Sequence, residues 1–494
     1  MPPIEIPASG RSAPAVAILI MLLFVTLATP ANAQTSAGPI AYVSDLEGNL
    51  VKLQAFFEAH ELFERGQDGK HHLVEGAWFV HGGDVPDRFY GGLQVVEELV
   101  RLKNETPDRV VLIAGNRNMN KVRLIPELSR AAMRAGPTEA IEEWQAWMET
   151  CLEADGSKTH AADVLAAETA RCNVPGQRLR WILTKTMGSP DAFELRREEL
   201  AVHQATSLDQ VSDEAVVASF LAEVQEGGAF LNMLASSDVI RRIGNTIFVH
   251  GYIGASNWGH VPDDSKHYDD ISEWSEALNR WYHAEIQSWT ETATAWGGQG
   301  PRPGEPLVEY SRPSAGSPFN PQSVVYSRSL DEQGKITLPE PEVIEALMAQ
   351  GIRRIVIGHS PMGETPLILR TEDDSFELIA ADNSRSTIAD LATRLTIEGG
   401  DQARIRVLSE VTLDSGDRLP IGFLSTLGSV TPLGYRLTDG SVVVAPTAHG
   451  YLTFQMEPRF KIVYRDQALP ALAVQGLPPE RFDESGIERI PMIR

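Results

Sequence analysis

A-W-F-V-H-G-G-D-V-P-D-R, residues 77–88, runs from apolar residues into a turn of two glycines and two aspartates. The first half reads as a short β-strand, and the second as a polar loop whose Gly and Pro neither a helix nor a strand interior favours. Four more segments share this design: S-D-L-E-G-N at 44–49, G-N-R-N-M-N-K at 115–121, V-H-G at 249–251 and G-H-S-P at 358–361. Each closes an apolar run, and loops at strand ends are where an α/β scaffold carries its chemistry.

Working outward, residues 39–114 alternate β-like and amphipathic helical runs. Strands are predicted over 40–44, 77–81 and 109–114, and helices over 50–63 and 93–103. This is the rhythm of a layered α/β core. Residues 124–243 break it with Ala-, Glu-, Leu- and Arg-rich helical periodicity and read as a helical insertion or cap. A strand over 245–250 resumes the pattern. Residues 254–321 are heavy in Trp, Pro and Gly around a helical stretch at 271–289, and serve either as a cleft wall or as surface elaboration. A helix over 342–350 and strands over 354–357 and 376–381 follow. Beyond 400, short runs with turn punctuation, including Asp439-Gly440, predict a small C-terminal β domain. The expected organisation is a core in two parts (34–123 and 244–399), the insertion (124–243) and the β domain (400–494).

The five signatures offer carboxylates, an Asn carbonyl and two imidazoles, the donors of a two-metal hydrolytic site. Two cations would acidify a water and clamp a phosphoryl group. Asp84 is the candidate bridge, Asp45 and Glu47 the ligands of one ion, and Asn116, His250 and His359 those of the other. Taken singly, Asp45, Asp84 and Asn116 read equally well as turn or cap residues, and each His as a satisfied core group. The ordered set carries the reading.

The set resembles the calcineurin-like metallophosphoesterase superfamily, related to the Ser/Thr protein phosphatases, whose motifs run D-x-H, G-D-x-x-D-R, G-N-H-[DE], H and G-H-x. The resemblance covers about 40–383 and implies a four-layer α/β/β/α sandwich that hydrolyses a phosphomonoester with two divalent metal ions. It places Asp45 and Asp84 on metal ligands, Asn116, His250 and His359 on the second metal, and Asp87 and Arg88 behind and at the phosphate. This chain has Glu47 where the family has His, and Arg117 where the family has its acid-base His. Glu47 favours Mn, Mg or Fe over Zn. A guanidinium cannot act as a general acid near neutral pH, but it can neutralise developing charge, so Arg117 joins Asp87 and Arg88 as a catalytic candidate, with Asp87 orienting Arg117 or a water. Both departures are similar to a branch with D-x-E-G and G-N-R-D-x-N-K-x-R, in which Asn118 replaces Asp. Lys121 and Arg123 of that motif are substrate-binding candidates. So is Arg328, in V-Y-S-R-S at 325–329, which is similar to a W-x-R segment of bacterial members. A second reading is a metal- or phosphate-binding protein of little or no turnover that acts through a partner.

Arg11, the apolar run 15–28 and the small-x-small Ala31-Asn32-Ala33 read as a signal peptide over 1–33 that leaves Gln34 first. The expected location is periplasmic or secreted, with no membrane attachment after cleavage. A net charge of −24 excludes a nucleic-acid backbone as the expected partner and is compatible with a phosphorylated substrate. The two cysteines, Cys151 and Cys172, allow a disulfide or two buried thiols.

Overall fold

The structure is a computed structural model that describes residues 38–135, 141–154, 172–331, 334–386, 388, 393–398, 404–458, 461–476, 478, 481 and 487–490. The expected leader at 1–33 lies outside them. The strands are β1 Ile40–Val43, β2 Phe63–Arg65, β3 His71–Leu73, β4 Trp78–His81, β5 Val110–Leu112, β6 Ile240–Ile243, β7 Thr246–Val249, β8 Arg354–Pro361 and β9 Leu367–Arg370. They continue with β10 Glu377–Asp382, β11 Arg394–Glu398, β12 Arg404–Thr412, β13 Arg418–Thr426, β14 Val442–Pro446, β15 Gly450–Glu457, β16 Lys461–Ala468 and β17 Ile487–Arg489. The result is a mixed α/β protein with two large sheets, ordered β17-β13-β12-β11-β1-β4-β5 and β6-β7-β8-β10-β9.

Parallel pairing explains why distant polar loops meet. In the first sheet β4 lies between β1 and β5, with His81 opposite both Val43 and Leu112. The three loops that follow therefore leave at one edge. In the second sheet β8 lies parallel to β7 and β10, which delivers His250, His359 and Asp382 from neighbouring strand ends. Tyr42 of β1 stacks on Phe248 of β7 with ring centroids 5.9 Å apart. Backbone bonds from Asp238 N to Leu112 O and from Ala114 N to Asp238 O, each 2.9 Å, tie the edge of the first sheet to the approach of β6.

Helix α1, Leu50–Ala59, is capped by Asn49, the last residue of the first signature, whose side chain accepts from Lys52 N at 2.9 Å. It turns Leu53, Phe56 and Phe57 inward, and the two rings meet Phe63 and Phe79. The helix predicted to reach residue 63 stops earlier because His60 is extended and Phe63 opens the β2–β3 hairpin. Helix α2, Gly92–Glu105, buries Val95, Val96, Leu99 and Leu102. Between Leu124 and Ser236 the described elements are helical, apart from a π turn at Ile182–Thr186. Cys151 and Cys172 form a disulfide within this block, with Cα atoms 6.1 Å apart. No helix among the described residues is long and apolar enough to cross a membrane.

The boundary expected at residue 400 does not interrupt the sheet. Strands β12, β13 and β17 extend the first sheet outward from β11, and only β14–β16 form a sheet of their own. The alternating burial of β12 supplies a core face to a sheet that also holds β1, more than 300 residues earlier in the chain. Such pairing is not a local property of the sequence.

A buried charge cluster fixes the strands that carry the second half of the site. Glu377 of β10 stands opposite Arg354 of β8 and Arg370 of β9, and its oxygens accept from Arg354 Nε at 2.5 Å and Arg370 Nη2 at 2.8 Å. All three are inaccessible or nearly so. Removing the shared carboxylate takes the nearest negative charge from two buried guanidiniums, so Glu377→Ala is expected to cost about 3–5 kcal/mol of stability. Urea unfolding checks this, and a loss below about 1 kcal/mol contradicts it.

Candidate active site

The site is assembled by hydrogen bonds between signatures. Asp45 N donates to Gly83 O at 2.9 Å and Glu47 N to Asp84 O at 3.0 Å, which interlocks the first two loops. His250 Nδ1 lies 2.8 Å from Gly82 O, and Gly358 N donates to His250 O at 2.9 Å. His359 N points at the Asp45 carboxylate, 3.1 Å from Oδ2, while Arg117 N donates to Asp84 Oδ1 at 2.9 Å. Asp45, Glu47, Asp84, Asp87 and His359 all adopt positive φ, between 48° and 101°. Five such non-glycine residues at one place store backbone strain where binding or catalysis is expected.

Glycines permit this crowding at two points. A Cβ on Gly115 would lie 2.3 Å from both Asp84 N and Asp84 Oδ1. A Cβ on Gly358 would lie 2.4 Å from Asp45 Oδ2.

Asp84, His250 and His359 bring ligand atoms within 4.8 Å of one another, and all three are buried. Asn116 Oδ1 is 3.1 Å from His250 Nε2. Burial, joined by the neighbouring Asp382, pushes the Asp45 carboxyl well above the usual carboxylate range. Burial opposes charge on His250, but Asp84 and Asp45 outweigh it and hold its pKa up to about 9. Burial likewise opposes charge on Asp84, and His250 and Arg117 outweigh it and keep the carboxyl low. Burial, with Arg328 and His250 nearby, holds His359 well below the usual imidazole range.

This donor set fits divalent cations. His359 Nε2 is buried without a hydrogen-bond partner among the described residues, as an imidazole poised to ligate would be. The bond from His250 Nδ1 to the Gly82 carbonyl leaves Nε2 facing Asn116 and Asp84, the usual way of orienting a ligand imidazole. Buried carboxylates gathered this closely would be stabilised by bound cations.

Asp45, Glu47, Asp84, Asn116 and His359 line one cavity of about 470 Å³ together with Arg88, Arg117, Arg123 and Arg328; His250 lies fully buried behind them. Some partners differ from expectation. The Glu47 carboxylate pairs with Arg88 at 3.2 Å and Arg117 at 3.1 Å, so it meets guanidiniums on both sides. Asp87 is paired with Lys121, not with Arg117, and neither lines the cavity. The pair is a buried prop, because the 3₁₀ turn Asn120–Arg123 that carries Lys121 is itself buried and its ammonium lies 3.4 Å from Met187 Sδ. Lys121 is therefore not placed to touch a substrate. Arg123 reaches the cavity but bonds Glu127 at 2.7 Å. Arg328 Nη1 donates to the His359 carbonyl at 3.2 Å. Asn118 accepts from Val85 N at 3.2 Å and supports the second loop.

Arg117 also reaches the helical insertion, donating from Nη1 to Met187 O at 2.8 Å and Ser189 Oγ at 2.5 Å. The loop Lys185–Gly188, together with Ser311, Arg312, Tyr326 and Asp382, completes the cavity wall. Segment 254–321 thus contributes to the cleft. Asp382 was legible in principle: A-A-D-N closes a β run as the other signatures do. Tyr326, whose ring meets that of His359 at a tilt with centroids 5.0 Å apart, carries no such local signal.

No family model matches the chain, and no curated protein is similar enough to match. Among solved structures the chain is similar to a cold-active protein-tyrosine phosphatase of a psychrophilic Shewanella species, with 15% identity and a TM-score of 0.38 over 78% of this chain and 80% of that one. It is similar to a protein serine/threonine phosphatase from Saccharomyces cerevisiae, with 13% identity and a TM-score of 0.30 over 74% and 75% of the two chains. A metallophosphoesterase from Sphaerobacter thermophilus gives 12% identity and a TM-score of 0.22 over 82% and 91%.

The close approach at Gly115 yields a test of the assembly. Gly115→Ala forces its methyl onto Asp84 and is expected to cost about 1–3 kcal/mol by overpacking and to lower metal uptake. Denaturation and elemental analysis check both, and an unchanged metal content would show that Asp84 tolerates displacement.

Proposed function

We propose that this chain is a calcineurin-like metallophosphoesterase, of the branch with D-x-E-G and G-N-R motifs, that hydrolyses a phosphomonoester with two divalent metal ions. The observation that carries the reading is the convergence of Asp45, Asp84, Asn116, His250 and His359, from five strand ends spread over more than 300 residues, on one arginine-rimmed cavity. Asn116, His250 and His359 would hold one ion, Asp45 and Glu47 would serve the other, and Asp84 would be shared. A carboxylate-rich set favours Mn, Mg or Fe over Zn. When bound, such ions acidify a water and offset charge on phosphoryl oxygens.

The chain's own groups do the rest. Arg88 and Arg117, cross-braced by Glu47, present fixed positive charge toward the cavity. They would bind phosphoryl oxygens and orient them for in-line attack. Arg117, a guanidinium, would neutralise a departing oxygen without protonating it. Asp87 acts through Lys121 to support the loop between Asp84 and Arg88. The four-layer arrangement, the signal peptide and a periplasmic or secreted location belong to the same reading, and the Cys151–Cys172 disulfide is compatible with an oxidising compartment.

A second reading, a binding protein of little turnover, is favoured by one observation: Arg117 stands in the acid-base position and is engaged by Glu47, Asp84 and the insertion. Two measurements decide. Asp84→Asn should lose bound metal and reduce kcat by more than about a hundredfold, and retention of both on elemental analysis and assay would sink the phosphoesterase reading. With Mn added, an activated aryl phosphate should turn over much faster than an alkyl phosphate, whereas turnover of neither would favour the binding protein.

A further inference from the structure

The chain carries a net charge of −24, yet the outer rim of the catalytic cavity is cationic, with Lys185, Arg312 and Arg385 in its wall. The inner cations are committed: Arg88 and Arg117 to Glu47, and Arg328 to the His359 carbonyl. Arg312 is shared with Glu305 and Glu309 at 3.7 and 3.6 Å. Lys185 differs from all of these. It is exposed, and its side chain makes no hydrogen bond or ion pair with another described residue.

Its backbone, by contrast, is tightly held. Lys185 sits in the π turn Ile182–Thr186, closed by Met187 N donating to Ile182 O at 3.2 Å and by Thr186 Oγ1 donating to the same oxygen at 2.6 Å. Ile182 and Leu183 are wholly buried, and Ser189 N donates to Leu183 O at 2.8 Å. Arg117 pins the following residues through Met187 O and Ser189 Oγ. Single π turns are rare and occur largely at functional sites. Here the turn fixes one flexible amine over the catalytic cavity, while the residue in the acid-base position anchors the turn.

A cation placed beside other cations raises the energy of the empty protein and lowers it only when an anion enters. A cavity of about 470 Å³ falls in the range that encloses a drug-sized ligand, so it has room beyond one phosphoryl group. We infer that the rim around Lys185 is a second anion subsite and that the substrate is a phosphomonoester whose leaving group carries a further anionic group, a carboxylate or a second phosphate. The substrate part of the inference rests on the phosphoesterase reading, whereas the second anion subsite does not.

The test is isothermal titration of the full-length, Mn-loaded protein with butylphosphonate, 4-phosphonobutyrate and 1,4-butanebisphosphonate. At least one of the two probes with a second anion should bind about tenfold more tightly than butylphosphonate. Lys185→Gln should bring that ratio to about one, and Lys185→Arg should restore most of it. A larger gain for 4-phosphonobutyrate identifies a carboxylate, and a larger gain for the bisphosphonate a second phosphate. Equal affinities for all three probes in the wild type, or a ratio unmoved by Lys185→Gln, would overturn the inference. Failure of the phosphoesterase reading shows separately, as no turnover of an activated aryl phosphate, and leaves the affinity ratio to decide the subsite.

Discussion

The constraint on which the rest depends is the crowding of Asp45, Asp84 and Asp382 with two imidazoles in a buried space where the two large sheets meet. Carboxylates this close repel one another, and burial removes the water that would screen them. The surroundings answer that cost. Asp84 and Asp45 raise the proton affinity of His250, the His359 amide is turned onto Asp45, and the Arg117 amide is turned onto Asp84. The positive φ angles of Asp45, Glu47, Asp84 and His359 are the geometric consequence, because each loop must fold back sharply to aim its side chain at the same point. Glycine at 115 and 358 follows from the same demand, since a methyl at either position would occupy the space of a carboxylate.

Arg117 links that centre to the helical insertion. An imidazole at this position could exchange a proton with a leaving group, whereas a guanidinium cannot. In return it spans farther and bonds in several directions at once: Glu47 and Asp84 on one side, the Met187 carbonyl and Ser189 hydroxyl on the other. The insertion is thereby fastened to the site by a residue of the site. Under the phosphoesterase reading, Arg117 and the closeness of the loop it holds would be two aspects of one design, in which fixed charge and loop position replace proton transfer.

Much of this was legible in the sequence because each signature combines a β run, which sets direction, with residues that only a strained polar loop accommodates. Parallel strands then brought the loops together without further information. What was not legible depended on partners distant along the chain. Nothing local tells that the Asp87 carboxylate meets Lys121 instead of Arg117, since that choice follows from how the turn at Asn120–Arg123 packs beneath the loop. Asp382 was readable by the same rule as the five signatures, since A-A-D-N closes the β run that ends at 381. The strands after residue 400 read as a separate unit because their turns are short and local, while their pairing with β11, and through it β1, is long-range.

That last point bears on how the site is held. After His359 the chain passes through Met362, Gly363 and Glu364, and this turn rests on Tyr464 of β16. The buried Tyr464 hydroxyl donates to Met362 O at 2.8 Å and accepts from Glu364 N at 3.1 Å. Gly363, at φ 79°, leaves room for it, since a Cβ there would lie 2.6 Å from the hydroxyl oxygen. Meanwhile Met362 N donates to Asp382 O at 2.7 Å, joining the strand ends of His359 and Asp382. Burial raises the Tyr464 pKa, so the phenol remains a proton donor to that carbonyl. Among the described residues the C-terminal strands bring no group into the cavity, yet through one hydroxyl they set the turn that follows His359.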